Sequence, residues 1–183
     1  MNHPTRILMV CTGNICRSPT MHYLAAQEWG SAALVTSAGT HAETGMDVPT
    51  PMRRSASAAG LTIPSHRPTQ LNAELIDQSD LVLVATQSHL TWIADELGRV
   101  PSHVFGFKQA TDLALRAARP PGDSPAERLA SAAATLRTQN DIAPAPLRSL
   151  DDPWSRDQAT YDRVYGEISD GISILTSWAG LRD

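Results

Sequence analysis

Apolar residues along this chain come in short continuous runs, separated by polar segments that contain glycine and proline. Continuous runs of this kind are typical of strands that are buried on both faces of a parallel sheet. The predicted strands are Arg6–Val10, Leu34–Ser37, Leu81–Ala85 and His103–Phe107.

Other apolar positions recur at intervals of three and four residues, which is the spacing of one helix face. The predicted helices are Pro19–Trp29, Pro51–Ala59 before Gly60, Asn72–Gln78, a helix capped by Ser88, and Gln158–Trp178. Strands that alternate with helices predict an α/β fold, with a four-stranded parallel sheet flanked by helices on both faces. Ligands bind to such sheets beyond the carboxyl ends of the strands.

The length of 183 residues and the hydrophobic fraction of 42% predict one domain, residues 1–183. A net charge of −4 offers no basic surface for nucleic acid. The first apolar run is too short for a signal peptide, and no run approaches the length of a membrane span. The two cysteines, Cys11 and Cys16, cannot crosslink a fold, and they lack the histidine cluster of a zinc site. We therefore expect a cytoplasmic protein with no metal, no cofactor and no membrane partner.

The segment between the first strand and the first helix, Cys11-Thr-Gly-Asn-Ile-Cys-Arg17, predicts a phosphate-binding loop. Ser18 is a suitable helix cap, and Pro19 suits the first helical position. A helix N-terminus presents unpaired N–H groups and favours anions. The residues predicted to contact a phosphate are Thr12, Gly13, Asn14, Ile15, Cys16, Arg17 and Ser18.

Each residue type in this loop has a chemical reason to be there. Gly13 and Asn14 tolerate left-handed backbone angles, so successive N–H groups can turn inward around an anion. Arg17 can hold two phosphate oxygens with its planar guanidinium, and Cys11 in a positive site should exist as a thiolate. Ser18 can donate its hydroxyl to that sulfur. The alternative is a buried cysteine on a strand and an arginine on a solvated helix face.

The string Val10-Cys-Thr-Gly-Asn-Ile-Cys-Arg-Ser-Pro19 resembles the active-site loop of the bacterial low-molecular-weight protein tyrosine phosphatases. Thr36–Thr40 resembles the end of that family's second strand, and Asp152-Pro153-Trp154 resembles its late Asp-Pro-aromatic loop. The resemblance runs from about Arg6 to Ile174. It implies a metal-free phosphatase with a phosphocysteine intermediate.

The resemblance also assigns roles to single residues. It makes Cys11 the nucleophile, Arg17 the phosphate ligand and Asp152 the general acid and base. Asp151 is the reserve candidate for the acid. Ser37 and His66 match positions that hydrogen-bond to Asn14 and support the loop from behind.

Three departures from the family pattern limit what the resemblance implies. Glu43 stands where relatives often have a large apolar residue beside the substrate ring, so a carboxylate here favours a cationic or hydroxylated substrate. After the Asp-Pro pair many relatives have two tyrosines, whereas this chain has Trp154 and Ser155. The ring of Trp154 can still stack on a phenyl group. Residues 112–147 exceed the family's usual spacing and predict a helical insertion, with a helix at Ser124–Arg137. This insertion is either a surface decoration or a lid or docking surface near the active site.

The favoured function is hydrolysis of protein phosphotyrosine or of a small aryl phosphate, by a monomer or weak homodimer that also binds inorganic phosphate or another oxyanion. One alternative is an arsenate reductase of the same fold, which needs cysteines beyond Cys16. A second is a phosphate-binding module without catalysis. Cys16 is either a redox guard that traps oxidised Cys11 or a small apolar filler beneath the loop.

Overall fold

The computed structural model describes residues 4–182. Its four strands are β1 (Thr5–Cys11), β2 (Ala33–Gly39), β3 (Leu81–Val84) and β4 (Val104–Gly106). They form a parallel sheet in the order β2-β1-β3-β4, which confirms the predicted four-stranded parallel sheet. β1 lies in the centre, and its last residue, Cys11, pairs with Gly39 at the carboxyl edge of the sheet.

Helices follow the strands along the chain. They are α1 (Arg17–Trp29), α2 (Thr50–Ala58), α3 (Ala73–Asp77), α4 (Gln87–Leu97), α5 (Phe107–Ala114), α6 (Pro125–Ala130), α7 (Ala132–Ile142) and α8 (Gln158–Trp178), with a short 3₁₀ turn at Gly30–Ala32. The bounds of α8 agree with those predicted from its apolar stripe.

The residues of β1 alternate between two cores, because successive side chains of a strand point to opposite faces. Ile7 and Met9 pack on the face that carries α1, α5 and α8. Leu8 and Val10 pack on the other face, against residues of α3 and α4. Helices therefore cover both faces of the sheet, as predicted.

Several predicted boundaries are wrong. Ser18 does not cap α1, because the helix begins at Arg17 and Ser18 is already inside its first turn. Pro19 therefore lies two residues beyond the first helical position. Ser88 does not cap α4 either: Thr86 is the residue before that helix. β4 ends at Gly106, and Phe107 begins α5, a helix that the apolar pattern did not predict.

The segment at residues 112–147 contains two helices, α6 and α7, where one was predicted. Ser124 caps α6, and Ser131 separates it from α7. The hydroxyl of Thr5, at the start of β1, donates to the carbonyl of Ala126 in α6 at 3.1 Å. α6 therefore lies at the amino edge of the sheet, the opposite end from Cys11, which does not fit a lid over the active site.

The chain returns from α7 to the carboxyl edge of the sheet. Leu150 N–H donates to the carbonyl of Ala85, directly after β3, at 2.8 Å. This contact brings the segment that follows, with Asp151 and Asp152, to the edge where Cys11 lies. Within residues 4–182, no helix is long and apolar enough to cross a membrane. The expectation about a signal peptide rests partly on residues 1–3, which lie outside the described residues.

Candidate active site

The loop of residues 11–17 turns between the end of β1 and the start of α1. Asn14 has a left-handed backbone with φ of 54°, as predicted. Gly13 has no positive φ, so its tolerance of left-handed angles is not used in this loop. A Cβ at Gly13 would lie 3.0 Å from Cγ of Glu43, a tight contact with a side chain that is exposed and can move.

Gly39 supports the loop from the neighbouring strand. A Cβ at Gly39 would lie 2.3 Å from the carbonyl oxygen of Thr12 and 2.9 Å from the amide nitrogen of Asn14. Both distances are far below normal contact, so only glycine allows the loop to pack this closely on β2.

Cys11 is 2% exposed, and its sulfur lies 3.0 Å from Oγ of Ser18. Ser18 Oγ also accepts a hydrogen bond from Nδ2 of Asn14 at 2.8 Å. When Cys11 is a thiolate it has no proton to give, so Ser18 must be the donor of the bond between them. Ser18 Oγ thus lies within hydrogen-bond distance of the nucleophile, and it also lies 3.3 Å from the carbonyl oxygen of Ala38, the other acceptor for its single proton.

His66 supports Asn14 as expected. Its Nε2 lies 2.9 Å from the carbonyl oxygen of Asn14, and its Nδ1 lies 3.0 Å from the hydroxyl of Tyr23. Burial lowers the pKa of His66 from its usual value. The neutral ring donates from Nε2 to the carbonyl and accepts at Nδ1 from the tyrosine.

The hydrogen bond predicted between Ser37 and Asn14 is not formed among the described residues. Ser37 Oγ contacts Nδ1 of His22 at 3.2 Å instead. The side-chain oxygen of Asn14 is taken by the amide N–H of Thr69 at 2.8 Å. Thr69, which the sequence did not single out, takes the place expected of Ser37.

Arg17 is 4% exposed and is held by two contacts. Its Nη1 donates to the carbonyl of Leu150 at 3.0 Å, and its Nη2 lies 3.0 Å from Oδ2 of Asp152. Its Nε is buried and has no hydrogen-bond partner among the described residues. Buried guanidinium N–H groups are costly to leave unpaired, so this N–H has hydrogen-bonding capacity left for a ligand.

The two candidate acids have different surroundings. Asp152 contacts Arg17 and accepts from the amide N–H of Trp154 at 3.2 Å. Asp151 instead pairs with Arg163 of α8 at 2.8 Å and is 64% exposed. The structure therefore brings Asp152 into the cleft and directs Asp151 toward the surface.

These groups enclose a cavity of about 150 Å³ at the carboxyl edge of the sheet. The residues that line it are Cys11, Thr12, Gly13, Ile15, Cys16, Arg17, Glu43, Asp152 and Trp154. Glu43 and Trp154 thus both lie at the cleft, as predicted. Within residues 4–182, no three His, Cys, Asp or Glu side chains are grouped so that they could bind a metal ion.

Cys16 is buried, and neither it nor Cys11 is in a disulfide. Burial, reinforced by the charge of Cys11, raises the pKa of Cys16 well above its usual value. Cys16 therefore stays protonated near neutral pH, and it does not compete with Cys11 as a nucleophile.

His89, in the first turn of α4, is a site residue that was not predicted from the sequence. Its Nε2 lies 2.9 Å from Oγ1 of Thr12. One signal was available: His89 stands three residues after the cap Thr86, at the position from which a side chain reaches back to the cap N–H.

The sequence profile described as "Low molecular weight phosphotyrosine protein phosphatase" matches residues 6–119 of the chain. "Low molecular weight protein-tyrosine-phosphatase Ptp" of Acinetobacter johnsonii is 38% identical over 82 residues, which are 45% of this chain and 57% of that protein. "Protein-arginine-phosphatase" of Geobacillus stearothermophilus is 34% identical over 106 residues, 58% of this chain and 71% of that protein. The match to the Acinetobacter protein thus spans less than two thirds of its length.

Solved structures agree with the fold over nearly the whole chain. The YwlE arginine phosphatase of Geobacillus stearothermophilus superposes with a TM-score of 0.70 at 24% identity, covering 95% of this chain and 92% of that one. Vibrio vulnificus Wzb in complex with benzylphosphonate also gives a TM-score of 0.70, at 21% identity, covering 96% and 99%. At these identities the likeness establishes the fold.

Proposed function

The chain belongs to the low molecular weight phosphotyrosine protein phosphatase family, and on that premise we propose that it hydrolyses protein phosphotyrosine through a phosphocysteine intermediate on Cys11. The observation that carries the proposal is the unpaired buried Nε of Arg17 in the cleft where the Cys11 sulfur lies. A phosphoryl oxygen would satisfy that N–H. The inward N–H groups of the loop would hold the other oxygens.

In the first step the Cys11 thiolate attacks phosphorus. The S–P bond forms, the ester P–O bond breaks, and the leaving oxygen takes a proton from the carboxylic acid of Asp152. Ser18, whose Oγ lies 3.0 Å from the sulfur, is placed to donate a hydrogen bond to the attacking thiolate.

In the second step the Asp152 carboxylate accepts a proton from water as the water oxygen attacks phosphorus. The S–P bond breaks, inorganic phosphate forms, and Cys11 returns to the thiolate. Arg17 stabilises the negative charge that the phosphoryl oxygens carry throughout both steps.

The shape of the cleft supports an aryl ester as the substrate. The nucleophile is 2% exposed, so a phosphoryl group must be carried down to it by a long substituent. Ile15 and Trp154 give the cleft apolar surfaces, and Trp154, which is 43% exposed, can stack on a phenyl ring. Phosphotyrosine supplies both the length and the ring.

One observation favours a second substrate, protein phosphoarginine. Glu43 lines the cleft and has no ion-pair partner among the described residues, so its carboxylate is available to a cationic substrate. A guanidinium that carries a phosphoryl group has such a cationic character. The relative from Geobacillus stearothermophilus is named a protein-arginine-phosphatase.

Arsenate reduction and phosphate binding without catalysis have less support. An arsenate reductase must pass oxidising equivalents to further cysteines, and the chain has only Cys11 and Cys16. A binding module without catalysis has no use for an acid, yet Asp152 is in the cleft. Cytoplasmic location stays part of the proposal, because a thiolate nucleophile needs a reducing compartment.

The test is turnover of two matched peptides, one with phosphotyrosine and one with phosphoarginine, by the unaltered protein and by Cys11→Ser. We expect release of phosphate from phosphotyrosine with the higher kcat/KM, and no measurable turnover by Cys11→Ser although it still binds vanadate. A higher kcat/KM on phosphoarginine would transfer the proposal to that substrate. Appreciable turnover by Cys11→Ser would exclude the phosphocysteine mechanism.

A further inference from the structure

His89 is 2% exposed and joins α4 to the phosphate-binding loop. Its Nδ1 lies 3.0 Å from the amide nitrogen of Thr86, which donates to it. Its Nε2 lies 2.9 Å from Oγ1 of Thr12. One imidazole therefore connects the residue before α4 to the residue after the nucleophile.

These two contacts fix the direction of both hydrogen bonds. Because the Thr86 N–H can only donate, Nδ1 of His89 must be the acceptor and the ring proton must sit on Nε2. Nε2 then donates to Oγ1 of Thr12. Burial lowers the pKa of His89 to about 4, so the ring is neutral near pH 7 and this arrangement persists.

The direction of this hydrogen bond determines what the Thr12 hydroxyl can do. Since its oxygen accepts from His89, its own hydroxyl proton is left to donate elsewhere, and no acceptor for it occurs among the described residues. Thr12 is exposed and lines the cleft. Its hydroxyl is thus an oriented donor in the wall of the substrate site.

In the proposed reaction, each oxygen of the phosphate ester that can accept a hydrogen bond already has a donor. The loop N–H groups and Arg17 serve the phosphoryl oxygens, and Asp152 serves the leaving oxygen. The acceptors that remain lie on the part of the substrate that carries the ester, and in a phosphotyrosyl peptide these are the flanking backbone carbonyls.

We propose that His89 is a positioning residue that orients the Thr12 hydroxyl to bind a backbone carbonyl of a phosphopeptide substrate. This inference rests on the proposed function of the cleft. According to this inference, His89 and Thr12 together make the protein prefer phosphopeptides to small aryl phosphates. It predicts no role for His89 in proton transfer to the substrate.

The test compares kcat/KM for a phosphotyrosyl peptide with kcat/KM for phenyl phosphate, which has no carbonyl. In His89→Gln a glutamine can still accept from the Thr86 N–H, so α4 keeps its cap while Thr12 loses its donor. We expect the peptide-to-phenyl-phosphate ratio to fall about three- to tenfold, the contribution of one hydrogen bond. The Ki of inorganic phosphate should stay within about twofold of the parent value, since the phosphoryl ligands are unchanged.

Thr12 variants complete the test. Thr12→Val should lower the peptide-to-phenyl-phosphate ratio of kcat/KM, whereas Thr12→Ser, which keeps the hydroxyl, should keep the parent ratio. In the double variant, His89→Gln should not lower the ratio below that of Thr12→Val alone. The comparison of Thr12→Val with Thr12→Ser changes no residue of α4, so it tests the inference even if His89→Gln folds poorly. Equal losses on peptide and phenyl phosphate, or a raised Ki of phosphate in His89→Gln, would overturn the inference. If the unaltered protein hydrolyses neither substrate, the proposed function itself fails.

Discussion

Arg17 Nη2 and Asp152 Oδ2 lie 3.0 Å apart, so the two charged groups on which the proposed mechanism depends are paired with each other. Their environments are unequal: the arginine side chain is 4% exposed, and the aspartate side chain is 52% exposed. The exposed partner is the one free to move. A phosphoryl dianion that binds Arg17 would compete with Asp152 for the guanidinium and free the Asp152 carboxyl to turn toward the leaving oxygen.

This pairing makes a prediction for Asp152→Asn. An amide cannot protonate the leaving oxygen, so turnover of phenyl phosphate should fall by about a hundredfold or more, the usual contribution of a general acid. A nitrophenyl ester leaves as a stable anion and needs no proton, so its formation of the phosphoenzyme should fall much less. Burst kinetics on the two substrates measure this difference. Asp151→Asn is the matched control, because that residue pairs with Arg163 at the surface, and a larger loss in Asp151→Asn would reassign the acid.

Gly39→Ala should disable the phosphate-binding loop without direct contact to the phosphate. The added Cβ would lie 2.3 Å from the Thr12 carbonyl oxygen, so the loop must shift. We expect at least about a tenfold loss in vanadate affinity and a larger loss in turnover, because small misplacements in an active site are costly. Gly166→Ala in α8 is the control, since its Cβ would meet nothing within 4 Å. Vanadate affinity equal to that of the parent would show that the loop tolerates the methyl group.

Glu43→Gln should change which phosphopeptides are preferred. The unaltered carboxylate attracts a lysine next to the phosphotyrosine and repels a glutamate there, so peptides with a flanking lysine should have the higher kcat/KM. The variant should reduce that preference by about two- to fivefold, the range of an exposed ion pair. Salt should weaken the preference of the parent protein and leave that of the variant nearly unchanged. An unaltered preference in Glu43→Gln would mean that the charge of Glu43 does not reach the peptide.

The parts of the fold that were predictable from sequence are those with a continuous pattern. The apolar run of β3 fits a buried strand, and the apolar stripe of α8 fits one face of a helix. The sheet and the last helix were therefore predictable from the sequence. Boundaries set by a single residue were less predictable. Ser18 resembles a helix cap, but its hydroxyl is used instead by Cys11 and Asn14, and this tertiary role outweighs its local preference.

The candidate site divides in the same way. Cys11 and Arg17 were found because a contiguous loop carries distinctive chemistry, and Asp152 because Asp152-Pro153-Trp154 resembles the family's late loop. His89, Thr69 and Leu150 were not, because each reaches the site through a contact made across the fold. Ser37 shows the converse error: its position along β2 was inferred correctly, but its hydroxyl contacts His22.

Cys16 gives the last prediction, which concerns peroxide. It lines the same cleft as Cys11 and is 3% exposed. Peroxide should oxidise the Cys11 thiolate to a sulfenic acid, and attack by Cys16 sulfur on the sulfenic sulfur would form a disulfide and release water. The disulfide protects Cys11 from further, irreversible oxidation. Because burial raises the pKa of Cys16, the capture should be faster at higher pH, where more of its thiol can ionise.

Cys16→Ser separates this guard from a residue that only fills space. After brief treatment with peroxide, dithiothreitol should restore most of the activity of the parent protein and distinctly less of Cys16→Ser, because the variant's sulfenic acid continues to the sulfinic acid. Intact mass of the oxidised parent should fall by the two hydrogens lost in an intramolecular disulfide, and the variant should gain oxygen instead. The variant must first show near-parent affinity for vanadate, so that a distorted loop is not mistaken for a lost guard. Equal recovery of the two proteins would leave Cys16 as a filler beneath the loop.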